Sequence, residues 1–182
     1  MTIRKVLRAG NPMVRSECDP YPEEKIGSGS FSTLIDDMFE TMRDYNGVGL
    51  AAPQVQEPYR IIVYELQDTE RYDTEDGPIE PTVLVNPSII DRSESTVNDT
   101  EGCLSLPELR GDVRRSKSVT VRYQDENATT QEKEATGFEA RIIQHELDHL
   151  DGVLFVDRME DPETLCFLEE YKKFHADDTS SN

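Results

Sequence analysis

Five consecutive residues, His145-Glu146-Leu147-Asp148-His149, set two imidazoles four positions apart with a carboxylate beside the first. On a helix, positions i and i+4 share a face, with Cβ atoms roughly 5–6 Å apart. Both rings can then reach one divalent ion at about 2.0–2.1 Å. Glu146 lies about 100° further round, where its carboxylate misses the ion but reaches a water on it, the place of a general base. The bland alternative is two surface histidines next to an unrelated glutamate. Phe138, Ile142, Ile143 and Leu147 give this segment an apolar face, and two unpaired buried histidines would be costly. A hydrolytic metal site is the better account.

Such a site takes three protein ligands and a water, so two histidines leave it one short. The extended pattern H-E-x-x-H-x-x-G-x-x-H needs a histidine at 155, and this chain has Phe155 there. Glu163, Glu169 and Glu170 downstream remain open as the third ligand, as does Cys103 upstream. Cys103 sits in Glu101-Gly102-Cys103-Leu104-Ser105, between a glycine and a turn-forming Leu-Pro, although a lone cysteine is more often an inert small core residue. His175, near the acidic end, reads as solvated. A third feature is Gly47-Val48-Gly49-Leu50-Ala51-Ala52-Pro53-Gln54. Its first six residues fit the dinucleotide pattern G-x-G-x-x-G/A, but that pattern follows a strand and opens a helix. Here a helix precedes it and Pro53 leads into a strand, so the nucleotide reading fails. Small residues let backbone approach a substrate, and Gln54 supplies an amide donor.

These residues need elements to hold them. Phe31, Leu34, Ile35, Met38 and Met42 recur at helical spacing over 31–45, with Ser30 or Ser32 to cap the start and Gly47 to end it in a left-handed turn. Residues 59–66 and 82–86 are rich in β-branched and aromatic side chains and read as strands. The acidic stretch 67–81 between them, with Gly77, Pro78 and Pro81, reads as an exposed loop. Residues 118–124 alternate in the strand manner and pair with a second strand over about 129–136, joined by a turn at 124–128. Gly137 opens the helix over 138–150 and Gly152 follows its end. A third helix starts near Pro162 and carries Leu165, Cys166, Leu168 and Phe174. The expected architecture is α+β: antiparallel β-sheets packed around the central histidine-bearing helix, with an N-terminal and a C-terminal helix. One domain spans 1–174, and 175–182 is a frayed acidic tail.

The chain has 182 residues, enough for one buried core. Its net charge of −19 repels nucleic-acid backbones and argues against DNA binding. Only six of its 19 basic residues are lysine. This acidity suits a surface kept hydrated at high salt, or simply an ordinary acidic protein. No apolar run is long enough for a membrane span, and the N-terminus lacks the pattern of a secretory signal. A cytoplasmic protein with reduced Cys18, Cys103 and Cys166 is therefore expected, and the sequons at Asn98 and Asn127 are chance matches.

Together, GVGLAAPQ at 47–54, EGCLS at 101–105 and QHELDHLDG at 144–152 resemble the three signature motifs of the peptide deformylases, in the family's order and in its bacterial-type form. The likeness covers roughly residues 3–160. It implies Cys103 as third ligand beside His145 and His149, with ferrous iron the usual metal and zinc or nickel as substitutes. A thiolate with two neutral imidazoles lowers the ion's charge to about +1. The implied reaction removes the formyl group from the N-terminal formyl-methionine of nascent polypeptides. Water on the metal, deprotonated by Glu146, attacks the formyl carbon. The metal, the Gln54 amide and the Leu104 backbone N–H hold the developing negative charge, and Glu146 then protonates the departing amine. Gly49 is implied to offer backbone hydrogen bonds to a substrate lying like an added strand, with Glu101 and Gly102 also in the substrate-binding set. Val48, Phe138, Ile142 and the stem of Arg141 are implied to flank the methionine pocket. A monomer with transient ribosome contact is expected, although residues 157–178 are mainly acidic and offer only Lys172 and Lys173 as a local basic pair.

Overall fold

Strand β2 (Ile61–Leu66) is buried along its whole length, and the two helices take opposite faces of it. Ile61 and Val63 join Phe31, Leu34, Ile35, Met38 and Met42 of helix α1 (Gly29–Asp44) in one apolar cluster. Ile62, Tyr64 and Leu66 join Ala140, Ile142, Ile143, Leu147 and Leu150 of helix α2 (Gly137–Leu150) in another. An antiparallel strand sandwiched in this way reads as a continuous apolar run, which is why the sequence YRIIVYEL carries no polar alternation. Each large side chain buried on these faces contributes about 1.5–3 kcal/mol. The computed structural model describes residues 2–67, 69 and 77–175. Most of the expected acidic loop, and the tail beyond His175, lie outside the described residues.

Strand β2 pairs antiparallel with the short β1 (Gly49–Ala51) and with β3 (Ile79–Arg92). Beyond β3 come β6 (Ser118–Gln124) and β7 (Thr130–Thr136), completing a five-stranded sheet in the order β1-β2-β3-β6-β7. Strand β3 runs well past the expected 82–86; its pairing with β6 shifts register after Val85, next to Asn86 with φ 52°. The 124–128 turn is held by Asp125, whose carboxylate accepts from the Asn127 and Thr129 amides at 2.9 Å. A second sheet consists of β4 (Thr96–Cys103), β5 (Leu106–Ser116) and β8 (Cys166–Phe167). The antiparallel sheets around α2 are thus as expected, but the β4–β5 hairpin that carries Cys103 was not.

Several boundaries differ from the sequence reading. Ser28, rather than Ser30 or Ser32, caps α1 by accepting from the Phe31 amide at 3.3 Å. Asn46, with φ 55°, takes the left-handed position expected of Gly47, as asparagine tolerates. Gly47 is required for space instead, since a Cβ there would lie 2.9 Å from Leu104 Cδ1. Leu106-Pro107 is not a turn but the start of β5; the turn is Leu104–Ser105. Helix α3 spans only Leu168–Phe174. Asp161 caps a single 3-10 turn at Pro162–Thr164, and Leu165 is already extended. Cys166 and Phe167 then pair with Arg110 and Leu109 of β5. Leu165 and Phe174 are exposed, so they form no core face.

Candidate metal centre

Helix α2 presents His145 and His149 one turn apart, with ring centroids 5.0 Å apart. The β4–β5 turn brings Cys103 against them, its Sγ 3.2 Å from His149 Nε2. One ligand atom from each of the three side chains lies within 4.8 Å of the other two. Among the described residues this is the one group of potential ligands at such spacing. Glu163, Glu169 and Glu170 are exposed and take no part in it. His175 is exposed and stacks beside Tyr171.

The electrostatics suit a cation. Burial alone would push the Cys103 thiol up, but His149 and His145 outweigh it and hold the thiol well below its ordinary value. Burial opposes charge on His145 as well; Cys103 and Glu101 overcome it and raise that imidazole. Cys103 and His145 thus each favour the charged form of the other, and a metal binding there displaces protons. His145 Nδ1 lies 2.8 Å from Glu101 Oε2, which turns Nε2 inward as a metal ligand requires. One thiolate and two imidazoles fit iron, zinc or nickel alike.

Glu146 is buried, and burial raises its carboxyl above the usual range. Its Oε2 has no hydrogen-bond partner among the described residues, and neither does His149 Nδ1. An unpaired buried carboxylate oxygen is costly, and one beside a ligand cluster suits a proton acceptor. Gly49 makes room for it: a Cβ there would stand 2.4 Å from Glu146 Oε1. Gln54 is fixed at both ends of its amide. Oε1 accepts from the Ala51 backbone at 2.8 Å, while Nε2 donates to Ser105 Oγ at 3.1 Å and lies 3.8 Å from Cys103 Sγ. Leu104 packs its side chain over Gly47, so the turn after Cys103 is seated on the end of α1.

The structure brings Glu146, Gln54 and Leu104 together with Cys103, His145 and His149. Val48 and Phe138 pack against the same apolar cluster that contains Ile142. Beyond its stem, the Arg141 guanidinium is directed to Glu101 and the β4–β5 backbone. Glu101 likewise faces inward, onto His145, Arg115 and Arg141. A Cβ on Gly102 would meet the Arg110 guanidinium at 2.3 Å.

Sequence reasoning passed over Arg115, Asp148, Arg158 and Ser105. Arg115 grips Glu101 through two hydrogen bonds of 2.9 Å and reaches Asp148 at 2.6 Å. Arg158 closes the outer end of the chain on Asp148 at 2.7 Å. Glu101 is held well below the usual carboxylate range: burial opposes ionisation, but Arg115 and His145 prevail. Asp148 could have been suspected from its place inside the histidine motif, one helical turn from His145. Arg115 had no comparable signal.

A family model described as polypeptide deformylase matches residues 3–164. The chain is 39% identical over 174 residues to peptide deformylase 2 of Nostoc sp., covering 96% of each chain. It is 44% identical over 151 residues to a peptide deformylase of Salinibacter ruber, covering 81% of this chain and 76% of the relative. Among solved structures, a class I type b peptide deformylase from Acinetobacter baumannii bound to Met-Ala-Ser superposes with a TM-score of 0.82 at 36% identity. It covers 87% of this chain and 99% of its own. With a matching family model, close relatives and a superposable fold, the chain belongs to the polypeptide deformylase family.

Proposed function

We propose that this deformylase removes the formyl group from formyl-methionine at the start of nascent polypeptides with one divalent ion held by Cys103, His145 and His149. The carrying observation is the buried Cys103–His149 contact at 3.2 Å beside Glu146, whose Oε2 has no other partner among the described residues. Ferrous iron is the favoured ion, with zinc or nickel able to stand in, because a thiolate and two imidazoles accept all three. When bound, the ion supplies Lewis-acid activation of water and of the formyl oxygen.

The chain's own groups supply the rest. Glu146 takes a proton from the attacking water and returns it to the amine nitrogen as the formyl C–N bond breaks. The Gln54 amide, locked by Ala51 and Ser105, donates to the formyl oxygen as negative charge develops there, together with the Leu104 backbone N–H. The peptide lies beside β1 as an added strand, with backbone hydrogen bonds at Gly49 and contacts at Glu101 and Gly102. Val48, Phe138 and Ile142 enclose the methionine, with the stem of Arg141 at the margin. The catalytic domain spans 1–174 and works as a cytoplasmic monomer. No helix among the described residues is long and apolar enough to cross a membrane. Ribosome contact is transient on this reading, since α3 carries only the Lys172–Lys173 pair opposite Glu169 and Glu170.

The test is formate release from formyl-Met-Ala-Ser by protein purified anaerobically with ferrous iron, beside Glu146→Ala. Formate from the parent and none from the variant supports both the reaction and the role of Glu146. Metal-loaded parent that releases no formate at low or molar salt refutes it.

A further inference from the structure

Arg141 lies one turn before His145 on α2 and is only 5% exposed. Its Nη1 donates to Glu101 Oε1 at 2.7 Å, to the Val113 carbonyl at 3.0 Å and to the Asp99 carbonyl at 3.4 Å. Its Nη2 donates to the Val97 carbonyl at 3.0 Å. Val97, Asp99 and Glu101 belong to β4 and Val113 to β5. One side chain therefore ties the helix of both histidines to both strands of the hairpin that carries Cys103.

Glu101 is the shared point. Oε1 accepts from Arg115 Nε at 2.9 Å and from Arg141; Oε2 accepts from Arg115 Nη2 at 2.9 Å and faces His145 Nδ1 at 2.8 Å. A carboxylate offers about four acceptor positions, and all four are taken. We propose that Arg141 is a positioning residue for His145, acting through Glu101, an inference that rests on Cys103, His145 and His149 being the metal ligands. Arg115 grips the carboxylate from β5 and reaches α2 at Asp148, three residues beyond His145, so it holds Glu101 to the helix from one side only. Arg141 anchors the same carboxylate from α2 itself, four residues from His145, and so sets the separation of Glu101 and the imidazole. With that separation fixed, Nδ1–H stays on Glu101 and the Nε2 lone pair stays directed at the ion. Only a planar guanidinium reaches a carboxylate and three carbonyls at once; an ammonium cannot span them.

A residue that merely lines the methionine pocket would show itself in KM; a positioning residue shows itself in metal affinity. The experiment titrates the metal-free parent, Arg141→Met, Arg141→Lys, Glu101→Gln and the Arg141→Met/Glu101→Gln double variant with cobalt(II). The thiolate-to-cobalt absorption reports binding, thermal unfolding of the metal-free proteins reports folding, and kcat and KM are measured separately. Arg141→Met is expected to bind cobalt on the order of 10–100-fold more weakly, with KM little changed and Arg141→Lys recovering part of the loss. In the Glu101→Gln background the same change is expected to cost less than about 3-fold, because the group it acts through is already altered. Arg43→Met, which breaks the outlying pair with Glu65, is expected to bind cobalt like the parent. Parent-like affinity in Arg141→Met with KM alone raised overturns the proposal, as does a fully additive loss in the double variant. If Arg141→Met does not fold, Arg141→Lys decides, and parent-like affinity there overturns it. A parent without thiolate–cobalt absorption refutes the ligand assignment itself and the proposal with it; a parent with that absorption and an unaffected Arg141→Met refutes the proposal alone.

Discussion

Adding one methyl group at Gly49 should disable the enzyme while leaving its fold and metal site in place. A Cβ built there stands 2.4 Å from Glu146 Oε1, 2.8 Å from Cδ and 2.9 Å from Cγ. Ordinary contact between such atoms is about 3.5 Å, so the carboxylate must retreat by about 1 Å. The obstacle is the end of a flexible side chain rather than backbone, which limits the cost of overpacking to about 1–3 kcal/mol. Catalysis has no such tolerance. A displacement of about 1 Å in a catalytic group costs on the order of 100-fold, because proton transfer requires a heavy-atom separation of about 2.6–3.2 Å. Gly49→Ala is therefore expected to lower kcat about 100-fold for formate release from formyl-Met-Ala-Ser. Its cobalt(II) affinity should remain within about 3-fold of the parent, since Glu146 is not a ligand. A Gly49→Ala enzyme with at least a third of the parental kcat would show that Glu146 does not need the space this glycine leaves. A parallel collapse of metal affinity would instead mean that the methyl group disturbs the ligands themselves.

Other outcomes follow from the same contacts. Gln54→Ala should reduce kcat by about 100- to 1000-fold while cobalt binding persists; unaltered kcat would remove Gln54 from the reaction. Arg115→Met leaves Glu101 and Asp148 short of their buried partner and should destabilise the metal-free protein by about 3–5 kcal/mol in urea; a loss below about 1 kcal/mol would contradict that. Burial pushes the Cys18 thiol up to about 11 from an ordinary 9.0. Between those values the unfolded chain releases its proton first, so stability should fall as pH rises from 9 to 11. Cys18→Ala should flatten that slope, and an identical slope in both proteins would assign it elsewhere. With a net charge of −19, the thermal midpoint should climb as salt rises from about 10 mM to about 0.5 M, because screening relieves self-repulsion. A flat or falling midpoint would mean that the acidic surface carries no such penalty.

What could be read in advance was whatever a single periodicity or a short motif determines. The stripe from Phe31 to Met42 gave α1, and the unbroken apolar run at 61–66 gave the strand that both helices cover. His145, Glu146 and His149 needed only the helical repeat. Cys103 is a different case. Its strand, Thr96–Cys103, alternates poorly and is largely exposed along its first half, so neither β-propensity nor patterning marked it. The hairpin is held from outside, by Arg141 on the Val97 and Val113 carbonyls and by Gln144 Nε2 on the Ser116 carbonyl at 2.9 Å. Contacts between residues 28–44 positions apart leave no local trace. The pairing of Cys166–Phe167 with β5 is equally non-local, and it interrupted a helix that local propensity alone would have allowed to begin at Pro162.

The scarcity of lysine also has a structural meaning that composition could not supply. Nine of the 13 arginines, at positions 4, 15, 43, 60, 114, 115, 122, 141 and 158, form ion pairs among the described residues. Several are spanning contacts that use the breadth of the guanidinium. Arg4 joins Asp37 to Glu57, Arg43 forks onto Glu65, Arg115 joins Glu101 to Asp148, and Arg141 joins a carboxylate to three carbonyls. A lysine ammonium, as a point charge, could serve one end of each but not both. Exposed ion pairs add little, but the pairs of Arg115 and Arg141 with Glu101 are buried. Arg115 and Arg141 converge on Glu101, and Arg115 also on Asp148, two buried acids that flank the metal centre. Glu101 has to accept from His145, and a protonated Glu101 would compete for that role as a donor. Arg115, which depresses Glu101, and Arg141, which shares its Oε1, are thus part of what keeps His145 facing the ion, and the acidic exterior is a separate property of the chain.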